Sequence, residues 1–238
     1  MRLPRLSFPG IAQHIVLRGN NRESIFRTDH DYRTCLLYLE QAADKYGCLV
    51  HAYVLMPNHM HLLVTPSDRS GVGRMVQLLA RQYVQYFNQR HDRTGTLWEG
   101  RYKSALVDGN NYALDCYCYI EKNPQRNGLS ESPADYPWSS YRCNAMGASD
   151  SLVTPCEAYV ALGNDDNERQ QRYQLLTQSS QDFSILKEIR QQTHRSRVVG
   201  DSHFKREIEL LLGVDLTVKP RGGDRRSQAY QQSAQCAG

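Results

Sequence analysis

Residues 49–66 read LVHAYVLMPNHMHLLVTP. Two runs rich in aliphatic and β-branched residues flank Pro57-Asn58, so strands are expected at 49–56 and 59–65, joined as a hairpin. Upstream, QHIVLR at 13–18 is a further β-branched run and ends in the turn signal Gly19-Asn20-Asn21. Between them Thr28 or Asp29 can cap a helix reaching to Tyr46, with Leu36, Leu37, Leu39, Ala42 and Ala43 as its apolar side, and Gly47 stops it. Downstream, Val76, Leu79, Tyr83 and Phe87 recur at helical spacing within 72–89, while Arg74, Arg81 and Asn88 fall on another side. A loop through Thr94-Gly95-Thr96 leads to a fourth strand at 102–107. A third helix then starts at Asn110 or Asn111 and ends before Pro124.

The order strand, helix, hairpin, helix, strand, helix matches a ferredoxin-like split βαβ unit with one extra helix. The expected class is therefore α+β: an antiparallel sheet with helices on one face, leaving the other face for a site. Beyond Pro133 the pattern weakens. The aromatic stretch DYPWSSY (135–141) reads as packing back on the core, followed by short helices near 167–176, 183–191 and 203–212. We therefore expect an α+β region over 1–145 that carries the site, a helical accessory region over 146–216, and a low-complexity basic tail over 217–238 that is mobile.

Composition narrows the classes. The chain has 238 residues, 40% of them hydrophobic, enough for one sizeable core with appendages or for two small domains. Its mean hydropathy is −0.63. No apolar run approaches the ~20 residues that span a bilayer, and the opening MRLPRLSFPG lacks the continuous apolar core of a signal peptide. The expectation is a cytoplasmic protein without membrane association. Lys and Arg number 29 against 25 Asp and Glu, a net +4. Residues 1–145 hold 17 basic and 13 acidic side chains and the remainder 12 of each, so the excess lies wholly in the first part. Arg dominates, and its planar fork grips phosphate and stacks on bases. The seven cysteines (Cys35, Cys48, Cys116, Cys118, Cys143, Cys156, Cys236) form no C-x-x-C pair. Reduced thiols serving as small core residues are expected, rather than a disulfide framework or a cysteine zinc site.

His59-Met60-His61 carries the most chemistry. Along a strand side chains alternate, so His59 and His61 share a face and Met60 points to the helix-packed side. Paired imidazoles can chelate a divalent metal; they can equally be unrelated histidines on a half-exposed strand. The helix near 110–123 carries Tyr112, Tyr117 and Tyr119, then Asn123. Tyr119 and Asn123 share a face, four residues apart, whereas Tyr117 lies about 200° away. A tyrosine beside a metal is a candidate nucleophile for a phosphate; a tyrosine-rich helix is also ordinary core packing. If this helix crosses the open sheet face, Tyr119 and Asn123 approach the histidines, and Asn123 can add a carbonyl oxygen as third ligand. Mixed imidazole and oxygen ligation suits Mg²⁺ or Mn²⁺ rather than a closed zinc site.

MPNHMHLLVTP resembles the His-hydrophobic-His strand of the HUH single-strand endonucleases. With HIVLRGNNRESIF, RYKSALVD, YIEKNPQRNGL and ADYPWSSYR, the stretch 10–145 is similar to the REP-associated tyrosine transposases. That resemblance implies a ferredoxin-like domain acting on single-stranded DNA beside a palindromic hairpin. Tyr119 would form a 5′-phosphotyrosine link, and His59, His61 and Asn123 would hold the metal. Asn123 stands where several related transposases carry glutamine. DNA contacts are expected from Arg18, Asn20 and Arg22 at the end of the first strand, Arg101 and Lys103 near the fourth, and Arg74 and Arg81 on the second long helix. Trp98 and Tyr102 are candidates for base stacking, worth about 1–3 kcal/mol per base, or for core packing. Tail residues Lys219, Arg221, Arg225 and Arg226 could touch DNA or fill the groove in its absence. A monomer is expected rather than a homodimer. Two other classes remain open on these residues: a non-catalytic platform binding hairpin DNA or RNA, and a phosphodiesterase that uses water in place of Tyr119.

Overall fold

The computed structural model describes residues 6–179 and 183–213. The expected tail and its four basic residues, together with Cys236, lie outside the described residues. The chain runs β1 (Gln13–Arg18), α1 (Asp29–Lys45), β2 (Cys48–Met56), β3 (His59–Pro66), α2 (Gly71–Arg90) and β4 (Lys103–Val107). There follow α3 (Ala113–Glu121), α4 (Asn123–Arg126), α5 (Tyr141–Met146), α6 (Glu157–Val160), α7 (Asp166–Gln178), α8 (Phe183–Arg195), β5 (Val198–Val199) and α9 (Ser202–Leu212). The sheet order is β2-β3-β1-β4-β5. The first four strands pair antiparallel, as a split βαβ unit requires. The two-residue β5 adds a parallel partner to β4, which the sequence pattern did not announce.

Both faces of the sheet are covered. On one, α1 and α2 bury Cys35, Leu39, Val76, Leu79 and Phe87 against Leu17, Met60, Leu62 and Val64. Leu37, expected on the apolar side of α1, is exposed, because the helix turns Cys35, Leu39 and Ala42 inward instead. Asp31 pins the start of α1, accepting the N–H groups of Arg27 (2.8 Å) and Thr28 (2.9 Å). Gly47, at φ +57°, supplies the left-handed residue that ends the helix.

The face expected to be free carries α3 and the C-terminal helices. Ala52, Val54, Leu63, Ala105 and Val107 form a second core with Cys116, Tyr117, Tyr159, Tyr173 and Ile189. A bulge in β2 makes the two cores compatible. Val50 pairs with Val64 and Ala52 with Leu63, so the register slips at His51. Val50 thus serves the first core, while Ala52, Val54 and Met56 turn to the second. Cys35, Cys48, Cys116 and Cys118 are buried free thiols, in keeping with their reading as small core residues.

Candidate active site

Directly paired residues of adjacent strands point to one face. Met56, His59 and Arg18 therefore form one row across β2, β3 and β1, and Val54, His61, Val16 and Lys103 form the next across β2, β3, β1 and β4. This is the face covered by α3. The imidazoles of His59 and His61 lie with ring centroids 5.0 Å apart, and the Tyr119 ring stands edge-on to His61 at 5.8 Å. Met60 is fully buried on the opposite, helical side.

Asn110 and Asn111 do not cap α3 with their side chains. Asp108 holds that turn, accepting the N–H groups of Asn110 (3.0 Å) and Asn111 (3.3 Å). Pro124 does more than end a helix: α3 stops at Glu121, and Pro124 sits in the first turn of the short α4. Asn123 is buried one turn beyond Tyr119, with its Oδ1 accepting from Asn127 at 2.7 Å. Glu121, on the far side of α3, is fully buried and accepts from Ser140, Asn144 (2.8 Å) and Tyr173 (2.6 Å), tying α3 to the segments behind it. Burial pushes its carboxyl up to about 7 against the pull of these donors.

Three residues not singled out from the sequence join the site. His14 of β1 stacks on His61 at 5.1 Å and meets the Tyr119 ring edge at 5.6 Å. Alternation along β1 from Arg18 would have put His14 on this face, but the pairing of β1 with β3 was needed to set it beside His61. Asn58 bonds His59 Nδ1 through Oδ1 at 2.6 Å, while its Nδ2 donates to the Arg22 carbonyl at 3.2 Å. Arg126 lies 4.6 Å over the Tyr119 ring and donates to the Tyr119 carbonyl. Its spacing of seven residues, two helical turns, was the signal for it.

Burial lowers the pKa values of the histidines, to about 3 for His14 and to about 4 for His59, where Arg18 adds to the effect. His61 is driven well below the ordinary value by burial, by its two histidine neighbours, and by Arg126 and Arg18. All three imidazoles are thus neutral, the state that offers a lone pair to a cation. Burial raises the Tyr119 phenol, opposed by Arg126 and, more weakly, Arg190 and Arg18.

The expected DNA-contacting residues separate into two sets. Arg18, Asn20 and Arg22 lie at the rim beside the 57–58 turn: the Gly19 N–H donates to the Asn58 carbonyl at 2.8 Å. Lys103 shares the histidine face. Arg74 and Arg81 sit on α2, against the other face of the sheet, with Arg74 stacked on Tyr46 at 4.6 Å. Arg101 lines a cavity of about 350 Å³ between α2 and residues 98–102, together with Arg18, Gln77, Trp98 and Tyr102. Trp98 is half-buried and donates its Nε1–H to the Ala80 carbonyl at 3.1 Å.

Among the described residues, no three His, Cys, Asp or Glu side chains converge as a ready metal cage. Nor is any described helix long and apolar enough to cross a membrane.

The family model for IS200-like transposases matches residues 7–123. A protein of Haemophilus influenzae described as a REP-associated tyrosine transposase is 22% identical over 137 residues, which cover 53% of this chain and 76% of that protein. A solved REP-associated tyrosine transposase bound to a REP hairpin superposes with a TM-score of 0.50 at 20% identity, over 66% of this chain and 96% of that one. The fold is therefore shared with that structure.

Proposed function

We infer that this chain, a member of the IS200-like transposase family, is a REP-associated tyrosine transposase that nicks and rejoins single-stranded DNA beside a palindromic hairpin. The observation that carries this reading is the Tyr119 ring held edge-on to His61 and His14 on the sheet face that also presents His59. The hairpin enters from the likeness to a transposase solved with one bound.

The Tyr119 hydroxyl is the nucleophile. Its oxygen forms a bond to the scissile phosphorus as the bond to the 3′-oxygen breaks; the phenol gives up a proton and the departing 3′-oxygen gains one. The products are a 5′-phosphotyrosine and a free 3′-OH, and reversal of the same exchange rejoins strands. Arg126, fixed over the phenol ring, favours the phenolate and faces the charge that accumulates in the transition state.

The donor set fits a divalent cation, Mg²⁺ or Mn²⁺. Asn58 Nδ2 is committed to a carbonyl, so its Oδ1 accepts the His59 Nδ1 proton and leaves Nε2 of His59 free as a ligand. His61 is the second ligand, and Asn123 Oδ1, which keeps a lone pair beyond its bond to Asn127, is the oxygen donor. When bound, such a cation neutralises phosphate charge and helps lower the phenol pKa. Arg18, Arg22 and Lys103 are placed to hold the strand at the rim and across the histidine face.

The test incubates end-labelled hairpin oligonucleotides and Mn²⁺ with wild type and with Tyr119→Phe. A denaturation-resistant protein–DNA adduct, lost in the variant, is expected. Cleavage surviving in Tyr119→Phe would establish water as nucleophile, and hairpin binding with neither cleavage nor adduct would leave a binding module.

A further inference from the structure

His61 has two ring nitrogens, and the reading above uses only one of them. Its Nδ1 lies 2.8 Å from Nε2 of His14, and His14 Nδ1 lies 2.7 Å from the Thr193 hydroxyl. His14 and Thr193 are both buried, so these contacts are not exchanged with bulk water. Thr193 belongs to α8, some 130 residues further along the chain than His61.

We propose that Thr193, acting through His14, fixes the proton of His61 on Nδ1 and so keeps Nε2 of His61 available as a metal ligand. The inference rests on the metal-binding reading of His59 and His61.

Two proton registers satisfy the chain of bonds. In one, His61 Nδ1–H donates to His14 Nε2, and His14 Nδ1–H donates to the Thr193 oxygen. In the other every bond is reversed: the Thr193 hydroxyl donates to His14 Nδ1, and His14 Nε2–H donates to His61 Nδ1. His61 then carries its proton on Nε2 and has no lone pair for a cation. A neutral imidazole has one donor and one acceptor nitrogen, so the registers cannot be mixed. Both rings are buried. Only the first register leaves His61 Nε2 a lone pair for a cation, so the metal-binding reading requires the Thr193 oxygen, 2.7 Å from His14 Nδ1, to stand as the acceptor that ends the chain. Asn58 does the same for His59 with an amide oxygen, so both ligands are oriented from behind through Nδ1.

Thr193 is thus a positioning residue, and the decisive perturbation is removal of its hydroxyl without change of shape. In Thr193→Val, His14 Nδ1–H loses its acceptor inside the core. The cheaper arrangement moves that proton to Nε2, where it donates to His61 Nδ1 and drives the His61 proton onto Nε2. Thr193→Ser keeps the hydroxyl.

Long-range ¹⁵N–¹H correlation on histidine-labelled, metal-free protein reads the tautomers, and electron paramagnetic resonance of free Mn²⁺ reads affinity. The expected result is His61 protonated on Nδ1 in wild type and Thr193→Ser, and on Nε2 in Thr193→Val. Mn²⁺ affinity should fall about 10- to 100-fold in Thr193→Val alone. An unchanged His61 tautomer in Thr193→Val, or Mn²⁺ affinity within twofold of wild type, overturns the proposal. If Thr193→Val does not fold, the serine variant decides: the wild-type tautomer pair supports the relay and a shifted pair overturns it. Wild type that binds no Mn²⁺, or binding indifferent to His61→Ala, defeats the metal reading instead, and the tautomer comparison still decides the relay.

Discussion

Replacing Arg126 by glutamine tests whether the charge over Tyr119 contributes to the chemical step. The guanidinium lies 4.6 Å from the ring centre and is anchored on the Tyr119 carbonyl, so it keeps station on the nucleophile. A unit charge about 5 Å from a developing negative charge contributes about 1 kcal/mol in water and about 3 kcal/mol at the effective dielectric of a protein surface. Loss of the charge should therefore slow formation of the Tyr119–DNA adduct by about 5- to 150-fold. The assay is single-turnover adduct formation on a hairpin oligonucleotide with Mn²⁺, at saturating protein so that weaker DNA binding does not enter. Arg126→Lys retains the charge without the planar stacking surface and should fall between the two. An Arg126→Gln rate within twofold of wild type, at unchanged thermal stability, would refute the electrostatic role.

Two further predictions concern the scaffold. Burial alone would raise the Asp31 carboxyl, but the N–H groups of Arg27 and Thr28, with His91 and Tyr86, outweigh it and hold it below the usual range. A depressed folded pKa stabilises above the unfolded value of 3.8, and that stability is lost as pH falls through the folded value. Asp31→Asn should cost about 2–4 kcal/mol at neutral pH and flatten the acid limb of a urea-midpoint profile below about pH 4; an unchanged acid limb would exclude this carboxyl as its source. Glu121→Ala leaves Ser140, Asn144 and Tyr173 without their shared acceptor in the core and should cost about 3–5 kcal/mol in urea denaturation. A loss under 1 kcal/mol would show the tie behind α3 to be slack.

The order of elements and the shared face of His59 and His61 were legible because both follow from local rules: turn residues, helical spacing and alternation along a strand. Placing Tyr119 near the histidines needed one global condition, that α3 cross the sheet, and that condition is met. What stayed hidden depended on register or on distant partners. His14 required the β1–β3 pairing, and Thr193 required knowledge of where α8 packs. The bulge at His51 escaped because β2 is apolar on both faces, so a slip of phase leaves no mark in its hydrophobic pattern. The exposure of Leu37 shows the same limit in a helix: five apolar residues overfill one side, and only packing decides which is left out.

The second core has a practical consequence for dissecting the chain. Ala52, Val54, Leu63, Ala105 and Val107 of the sheet are sealed in part by Tyr159, Tyr173 and Ile189, all beyond residue 145. A fragment cut at that point would keep Tyr119, the proposed metal ligands and Arg126 but lose Thr193, and it would present a greasy, half-bare back to solvent and invite self-association. Inactivity of such a fragment would mix clumping with loss of the Thr193 contact to His14, so deletions are the wrong instrument here; point substitutions that leave the seal in place are the right one.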